Sequence, residues 1–265
     1  MYEFNYRRPK DIAAAIAARQ GDEDALFLAG GMTLMPTLKL RLAQPSELID
    51  LGSIPDLIGV HQEGQIIKVG AMTCHDEVAA SRTIREAIPA LSVLAGSIGD
   101  PQVRNRGTIG GSIANNDPAA DYPAALLGLG ATVHTDRRQI AADDFFTSMF
   151  ETALGAGELI TEVSFPIPDR AGYAKFVNPA SRYAIVGVMV SQTGSTVRVA
   201  VTGAAASVFR QSEMEQALAG DFSPQAIASI QVAADDLNAD LHASAEYRAH
   251  LITVMARRAV LAASG

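Results

Sequence analysis

The chain has 265 residues, 48% of them hydrophobic and 19% charged, with a formal net charge of −8 at pH 7. That length allows one large domain or two modest ones, and the composition buries a proper core and excludes compositional disorder. The acidic balance argues against nucleic acid, which calls for a basic face.

The N-terminus, MYEFNYRRPKD, lacks the apolar stretch of a signal peptide. PKDIAAAIAARQ then reads as a short helix, with Pro9 near its start and Gly21 after its end. ALFLAGG is an apolar strand, Ala25 to Leu28, running into two glycines. TLMPTLKLRL follows as a helix, with Thr33 as its N-cap and Pro36 in its first turn. Short strands are expected at Glu47 to Leu51 and Ile66 to Ala71.

Asp76 to Ile98 carries helical patterning interrupted at Pro89, and a glycine-rich loop follows, GTIGGSIANNDPAADYPAA from Gly107 to Ala125. Tyr122 to Gly128 reads as a short helix and Ala131 to Thr135 as a strand. ELITEVSFPIP is a strand closed by Pro166 and Pro168, so a domain boundary is expected within Pro166 to Ala171. Beyond it, GYAKFVN and AIVGVMVSQTGSTVRVAVTG read as strands, the second folded into a hairpin at Thr193-Gly194-Ser195. Three helices close the chain: Ser212 to Ala219, one opening at Ser223-Pro224, and Ala245 to Ala263 with Leu251, Val254, Met255, Val260 and Leu261 near one face.

The single cysteine, Cys74, excludes internal disulfides, a cysteine-held zinc site and an iron–sulfur cluster on this chain alone. His61, His75, His134, His242 and His250 have no metal-ligand spacing, and no HExxH occurs. No apolar run reaches the roughly 18–20 residues needed to span a bilayer. A soluble, cytoplasmic protein is expected.

Two loops share a pattern: Ala29-Gly30-Gly31-Met32-Thr33 and Thr108-Ile109-Gly110-Gly111-Ser112 each hold paired glycines beside a hydroxyl residue. Paired glycines often serve only as turns. They also let backbone N–H groups approach a ligand and form an anion-binding nest, strengthened where a helix begins. Two such turns gripping one pyrophosphate suit a dinucleotide. Downstream, Asp117 and Asp121 offer carboxylates for ribose or ribityl hydroxyls, or caps for the helix near Tyr122; for Asp117, directly before Pro118, capping is the expectation, and Asp121 stays open.

LAGGMTLMPTLKLRLAQPSELIDL, then GDPQVRNRGTIGGSIANNDPAADYPAALLGLGA, then GELITEVSFP, GYAKF and AEYRAHLITVMARRA make the chain resemble, over nearly its whole length, the FAD-binding medium subunit of the xanthine dehydrogenase and aerobic carbon monoxide dehydrogenase family. The resemblance implies an α+β fold. Its FAD-binding domain over 1–168 is of the vanillyl-alcohol-oxidase (PCMH) type, with two α/β subdomains. A C-terminal domain over 169–265 follows, of the carbon monoxide dehydrogenase flavoprotein type, an antiparallel sheet with a helical bundle.

It further implies non-covalent FAD, with Phe27, Leu28, Ala29, Gly30, Gly31, Met32, Thr33 and Leu34 as the first phosphate loop and Thr108, Ile109, Gly110, Gly111 and Ser112 as the second. Asp121 would hydrogen-bond FAD, Ile98 would lie beside the flavin or its phosphate arm, and Ile160 and Thr161 would contact it through backbone. Lys175 is implied near the flavin C2=O, as a cation stabilising charge on the reduced ring, and Tyr183 near one flavin face. Relatives often carry Gln, His or Asn where this chain has Met32, and Asn where it has Ser112; backbone binding survives both changes. Cys74-His75 has no counterpart as a covalent tether.

The same resemblance implies an oxidoreductase subunit and a heterotrimer, doubled into a dimer of trimers. A large molybdopterin subunit would oxidise the substrate, and a small subunit with two 2Fe–2S clusters would pass electrons to FAD here and on to NAD, a quinone or oxygen. A stand-alone flavin oxidoreductase of the same fold and a flavin-free assembly subunit are the alternatives.

Overall fold

Three principal sheets, each drawn from one stretch of chain, organise residues 1–264, the part that the computed structural model describes. The first stretch holds β1 (Asn5–Arg7), α1 (Ile12–Gln20), β2 (Leu26–Leu28), α2 (Leu34–Lys39) and β3 (Glu47–Asp50). Its strands run parallel in the order β1-β3-β2. Helix α1 starts later than Pro9 because the Asp11 carboxylate accepts the Ala14 N–H at 2.8 Å and fixes the first turn there. Strand β1 has no apolar signal, since all three of its residues are exposed; backbone pairing to β3 defines it, joined by side-chain bonds from Tyr6 to Asp50 and Arg7 to Glu47.

The second stretch adds β4 (Val60–Glu63), β5 (Ile66–Gly70), α3 (His75–Ala80), α4 (Arg82–Ala87), α5 (Pro89–Gly96), α6 (Pro101–Arg104), α7 (Ile109–Asn115) and α8 (Tyr122–Leu129). It continues through β6 (Thr132–Thr135), β7 (Gln139–Ala141), α9 (Ala142–Phe145), the short hairpin β8 (Phe146–Ser148) and β9 (Glu151–Thr152), and β10 (Ile160–Pro166). The sheet is antiparallel, in the order β4-β5-β10-β6-β7. The helical patterning of Asp76 to Ile98 is cut twice: Ser81 ends α3 and caps α4, and Pro89 opens α5 where its missing N–H costs no bond.

The third stretch forms the antiparallel sheet β11 (Arg170–Val177), β12 (Ala184–Thr193), β13 (Thr196–Thr202), β14 (Phe209–Arg210), followed by α10 (Ser212–Gly220) and α11 (Ala245–Ala263). Strands β12 and β13 turn over Gly194-Ser195, with Gly194 at φ +57°. Two expectations fail here. No helix forms at Ser223-Pro224: Ser223 caps Ala226, but the bonds that follow run from residue i+3 to residue i and make successive turns. The bundle is therefore two helices. In α11, Leu261 is exposed; the buried stripe is Arg248, Leu251, Ile252, Met255, Ala256, Ala259 and Val260, a helical period that excludes position 261.

Helix α8 is buried along all eight residues, which explains its unbroken apolar sequence. It lies between the second and third sheets. A Cβ on Gly128 would stand 2.5 Å from Met189 Cγ, so glycine is what lets the helix approach β12. One core runs from α3–α8 and the five-stranded sheet into Tyr173, Met189, Ala200 and Val208, tying the C-terminal sheet to the rest; α11 closes a second core on the other face of that sheet. Among the described residues, no helix is long and apolar enough to cross a membrane.

Candidate functional site

The turn after β2 and the start of α7 meet. A Cβ on Gly30 would lie 1.9 Å from the Arg106 carbonyl oxygen, and one on Gly111 would lie 3.2 Å from Ala29 Cβ. The two glycine motifs thus come together, Gly30 on the backbone of Arg106 and Gly107 and Gly111 beside Ala29, and no other residue at position 30 permits that approach without moving backbone.

They form one wall of a cleft of about 710 Å³, within the range of small-molecule sites. All of the residues expected to bind cofactor line it except Leu28, Ile109, Thr161 and Lys175. Ile109 is fully buried in the core behind the cleft. The Thr161 hydroxyl bonds the His134 carbonyl and its own carbonyl accepts the Ala71 N–H. Tyr183 reaches the cleft from the loop between β11 and β12 and Ile98 from the turn after α5.

The backbone amides of the two motifs differ. Among the described residues, no acceptor takes the N–H of Gly30, Gly31, Met32, Thr33 or Leu34. These five line the cleft where α2 begins, with Gly31 at φ +74°. Thr33 does not cap α2 through its side chain as expected; its φ and ψ are already helical, so its hydroxyl is not set to reach the following amides. The second motif is not a loop nest. Thr108 is the N-cap of α7 and the glycines occupy its first turn. There the N–H of Ile109 bonds Thr73 O at 3.2 Å, that of Gly110 bonds Ala71 O at 2.8 Å, that of Gly111 bonds Thr108 Oγ1 at 3.1 Å, and that of Ser112 bonds Thr108 O at 3.0 Å.

The acids downstream also part company. Asp117 Oδ1 accepts the Ala119 N–H at 2.9 Å, an Asx turn rather than a cap on α8. Asp121 opens α8 without capping it and lines the cleft, 4% exposed. Its Oδ1 receives the Tyr173 hydroxyl at 2.5 Å and the Lys175 ammonium at 2.9 Å. Burial pushes the Asp121 carboxyl above its ordinary range, opposed by Lys175 and Tyr173; burial likewise raises the Tyr173 hydroxyl, so it remains a donor. The Lys175 side chain is 3% exposed and also donates to Ser97 O and Arg182 O, both at 3.0 Å.

Other cleft residues escaped sequence reasoning. Glu158, the first residue of the expected strand but ahead of β10 as it forms, binds Arg138 through both carboxylate oxygens and accepts the Gly155 N–H and Thr135 hydroxyl; the Arg138 hydrogen bonds hold its carboxyl down at about 2. An acid within GELITEV was its signal. His75 is buried with Nδ1 unpartnered, and burial pushes its imidazole down to about 4, so it is neutral at pH 7. Arg182, at φ +63°, also lines the cleft, and nothing in its sequence surroundings marks it. Among the described residues, no group of His, Cys, Asp and Glu is placed to hold a metal ion.

A run of free amides at a helix start is built for an anion, and a largely apolar cleft beside it takes rings. Fold and site together define a cofactor-binding α+β protein, and FAD, with its pyrophosphate and flat flavin, fits those features. Residues 2–168 match the FAD binding domain in molybdopterin dehydrogenase and residues 171–263 the CO dehydrogenase flavoprotein C-terminal domain. The chain belongs to the family of FAD-binding medium subunits of molybdopterin dehydrogenases, oxidoreductases of the carbon monoxide dehydrogenase type.

It is 36% identical to the nicotine 6-hydroxylase medium subunit of Paenarthrobacter nicotinovorans, covering 98% of this chain and 97% of that one. It is 35% identical to the carbon monoxide dehydrogenase medium chain of Hydrogenophaga pseudoflava, covering 98% and 96%. Among solved structures, it superposes on reconstituted CO dehydrogenase from Oligotropha carboxidovorans with a TM-score of 0.91 at 34% identity, covering 99% of this chain and 98% of that one. Quinoline 2-oxidoreductase from Pseudomonas putida 86 gives 0.89 at 29% identity, covering 99% and 97%.

Proposed function

We propose that this chain is the FAD-containing electron-transfer subunit of a molybdenum hydroxylase. It would take electrons from 2Fe–2S clusters of a small partner subunit and pass them to an external acceptor, NAD, a quinone or oxygen. The observation that carries the reading is the row of free amides from Gly30 to Leu34 along a largely apolar cleft of about 710 Å³. FAD accepts two electrons and releases them singly or as a pair, which joins a two-electron oxidation to one-electron carriers.

The chain's own part is to bind and orient. The five amides hold the pyrophosphate, while Phe27, Ile98 and Tyr183 wall the rings. Gly110, Gly111 and Ser112 set the depth of the cleft, and Leu28, Ile109 and Thr161 support it from behind. Asp121 faces FAD hydroxyl or ring donors. We place the boundary at 168/169, with a PCMH-type fold before it. The assembly would be a heterotrimer with a large molybdopterin subunit, paired into a dimer of trimers in the cytoplasm. Whole-chain similarity to subunits named as medium chains supports these partners.

Reconstitution tests it. The purified chain with added FAD should gain visible flavin absorption at one FAD per chain, released on denaturation. It should pass electrons only when the large and small subunits and substrate are present. Turnover without partners would favour a stand-alone oxidoreductase, and no FAD uptake a flavin-free assembly role.

A further inference from the structure

We propose that Lys175 is a latch: its buried ammonium locks the Asn178–Tyr183 loop against the turn after α5 and so controls FAD release without touching FAD. The inference rests on the FAD reading above. A lysine ammonium has three N–H donors. Two are donated to Ser97 O and Arg182 O, and the ammonium ion-pairs with Asp121 Oδ1 at 2.9 Å, so its partners all lie within the fold.

The two carbonyls belong to segments that both border the cleft. Ser97 precedes Ile98 and Gly99, and Arg182 lies between Ser181 and Tyr183, all of them lining residues. One segment comes from the FAD-binding region and the other from the C-terminal sheet. Neighbouring cations reinforce the seam: Arg104 donates to Ile98 O and Gly99 O, and the Arg182 guanidinium to Gly99 O at 3.4 Å.

The loop itself is tied locally. Asn178 N–H bonds Tyr183 O and Arg182 N–H bonds Asn178 O, each at 2.8 Å, while Asn178 Oδ1 receives the Ala180 and Ser181 amides. Arg182 takes a positive φ that non-glycine residues seldom adopt, and such a conformation persists only where its surroundings hold it. Lys175 grips the carbonyl of that same residue. Asp121 supplies the counter-charge that lets the ammonium stay buried at 3% exposure. Lys175 is thus a positioning residue.

The test uses Lys175→Met, the double variant Lys175→Met/Asp121→Asn and Lys175→Arg, each in the full chain. The double variant removes both buried charges at once, so folding does not depend on an orphaned carboxylate. Stopped-flow fluorescence should show FAD leaving Lys175→Met about 10-fold or more faster, with association within about twofold, because loss of a charge-assisted bond acts mainly on dissociation. The double variant, which also alters Asp121 at the cleft, is read by hydrogen exchange alone. Lys175→Arg should recover part of the slow release. The flavin absorption band should keep its position.

On the FAD-free protein, hydrogen exchange should quicken at the amides of Asn178, Ala180, Ser181 and Arg182 and stay unchanged in α11. Unaltered exchange in the loop overturns the latch whether or not the chain binds FAD. Wild-type chain that binds no FAD refutes the functional reading instead. A shifted band or reduction potential with unaltered release assigns Lys175 to direct flavin contact and also overturns the latch.

Discussion

Gly30-Gly31 and Gly110-Gly111 share one wall of the cleft, each pair beside a threonine or serine, yet their amides have different fates. The first pair leads into α2 with five consecutive N–H groups uncommitted. The second sits inside the first turn of α7, where the carbonyls of Ala71 and Thr73, just past β5, and the cap Thr108 take the N–H groups of Ile109 to Ser112. The lesson is that a glycine pair has two separate physical uses. It can free backbone for a ligand, or it can let two pieces of backbone come closer than a Cβ allows. Gly31 serves the first use and Gly110 the second; Gly30 serves both.

The sharpest way to break this contrast is alanine at each pair. Gly30→Ala brings a Cβ against the Arg106 carbonyl oxygen, and such overpacking costs about 1–3 kcal/mol or more. Because the same residue shapes the amide row, FAD uptake should vanish even in the folded fraction. Gly110→Ala places a Cβ 2.6 Å from Ala71 O and should cost a similar ~1–3 kcal/mol. The melting temperature should fall by roughly 2–4 °C per kcal/mol for a chain of this size. Yet FAD bound per folded chain should stay near one. Loss of FAD from Gly110→Ala at an unaltered melting temperature would mean that the second pair is itself a ligand loop.

A smaller effect separates the motifs by pH. His75 packs against Gly107, ahead of the second motif, where a Cβ at 107 would stand 2.5 Å from Nε2. Its folded pKa of about 4 lies below the ordinary 6.5, so between those values the unfolded chain binds a proton that the folded chain refuses. Stability is full above about 6.5 and declines by up to about 3 kcal/mol as pH falls to about 4, by linkage. His75→Phe should flatten that segment of the stability curve, measured by urea unfolding. Glu158 governs a lower window: held at about 2 instead of 4.5, it stabilises above about 4.5 and loses that contribution as pH drops toward 2. Glu158→Gln should therefore weaken the protein at pH 7 and leave it little changed near pH 2. An unaltered curve in either variant would detach that residue from the acid response.

The sequence made much of this readable, and where it fell short the reasons are local. Strands β5, β10, β12 and β13 carry apolar runs that announce them, and α8 reads as buried because it is. Strand β1 has no apolar alternation to announce it, since an exposed NYR pairs through backbone and through polar side chains to distant Glu47 and Asp50. Ser223-Pro224 had the signature of a helix start, but Ser223 caps only a run of turns. At the site, spacing marks both glycine pairs and offers Asp117 and Asp121 alike; the family resemblance singles out Asp121. Whether an amide is free depends on which distant carbonyl meets it, and no local pattern encodes that. The same holds for Lys175, whose three acceptors lie at positions 97, 121 and 182.

Amide hydrogen exchange with and without FAD tests the central claim most directly. Gly30, Gly31, Met32, Thr33 and Leu34 should exchange fast in the free protein and become protected when FAD binds, while Ile109 to Ser112 are protected in both states. Bound FAD with unprotected amides at 30–34, or protection gained at 109–112 instead, would contradict the account.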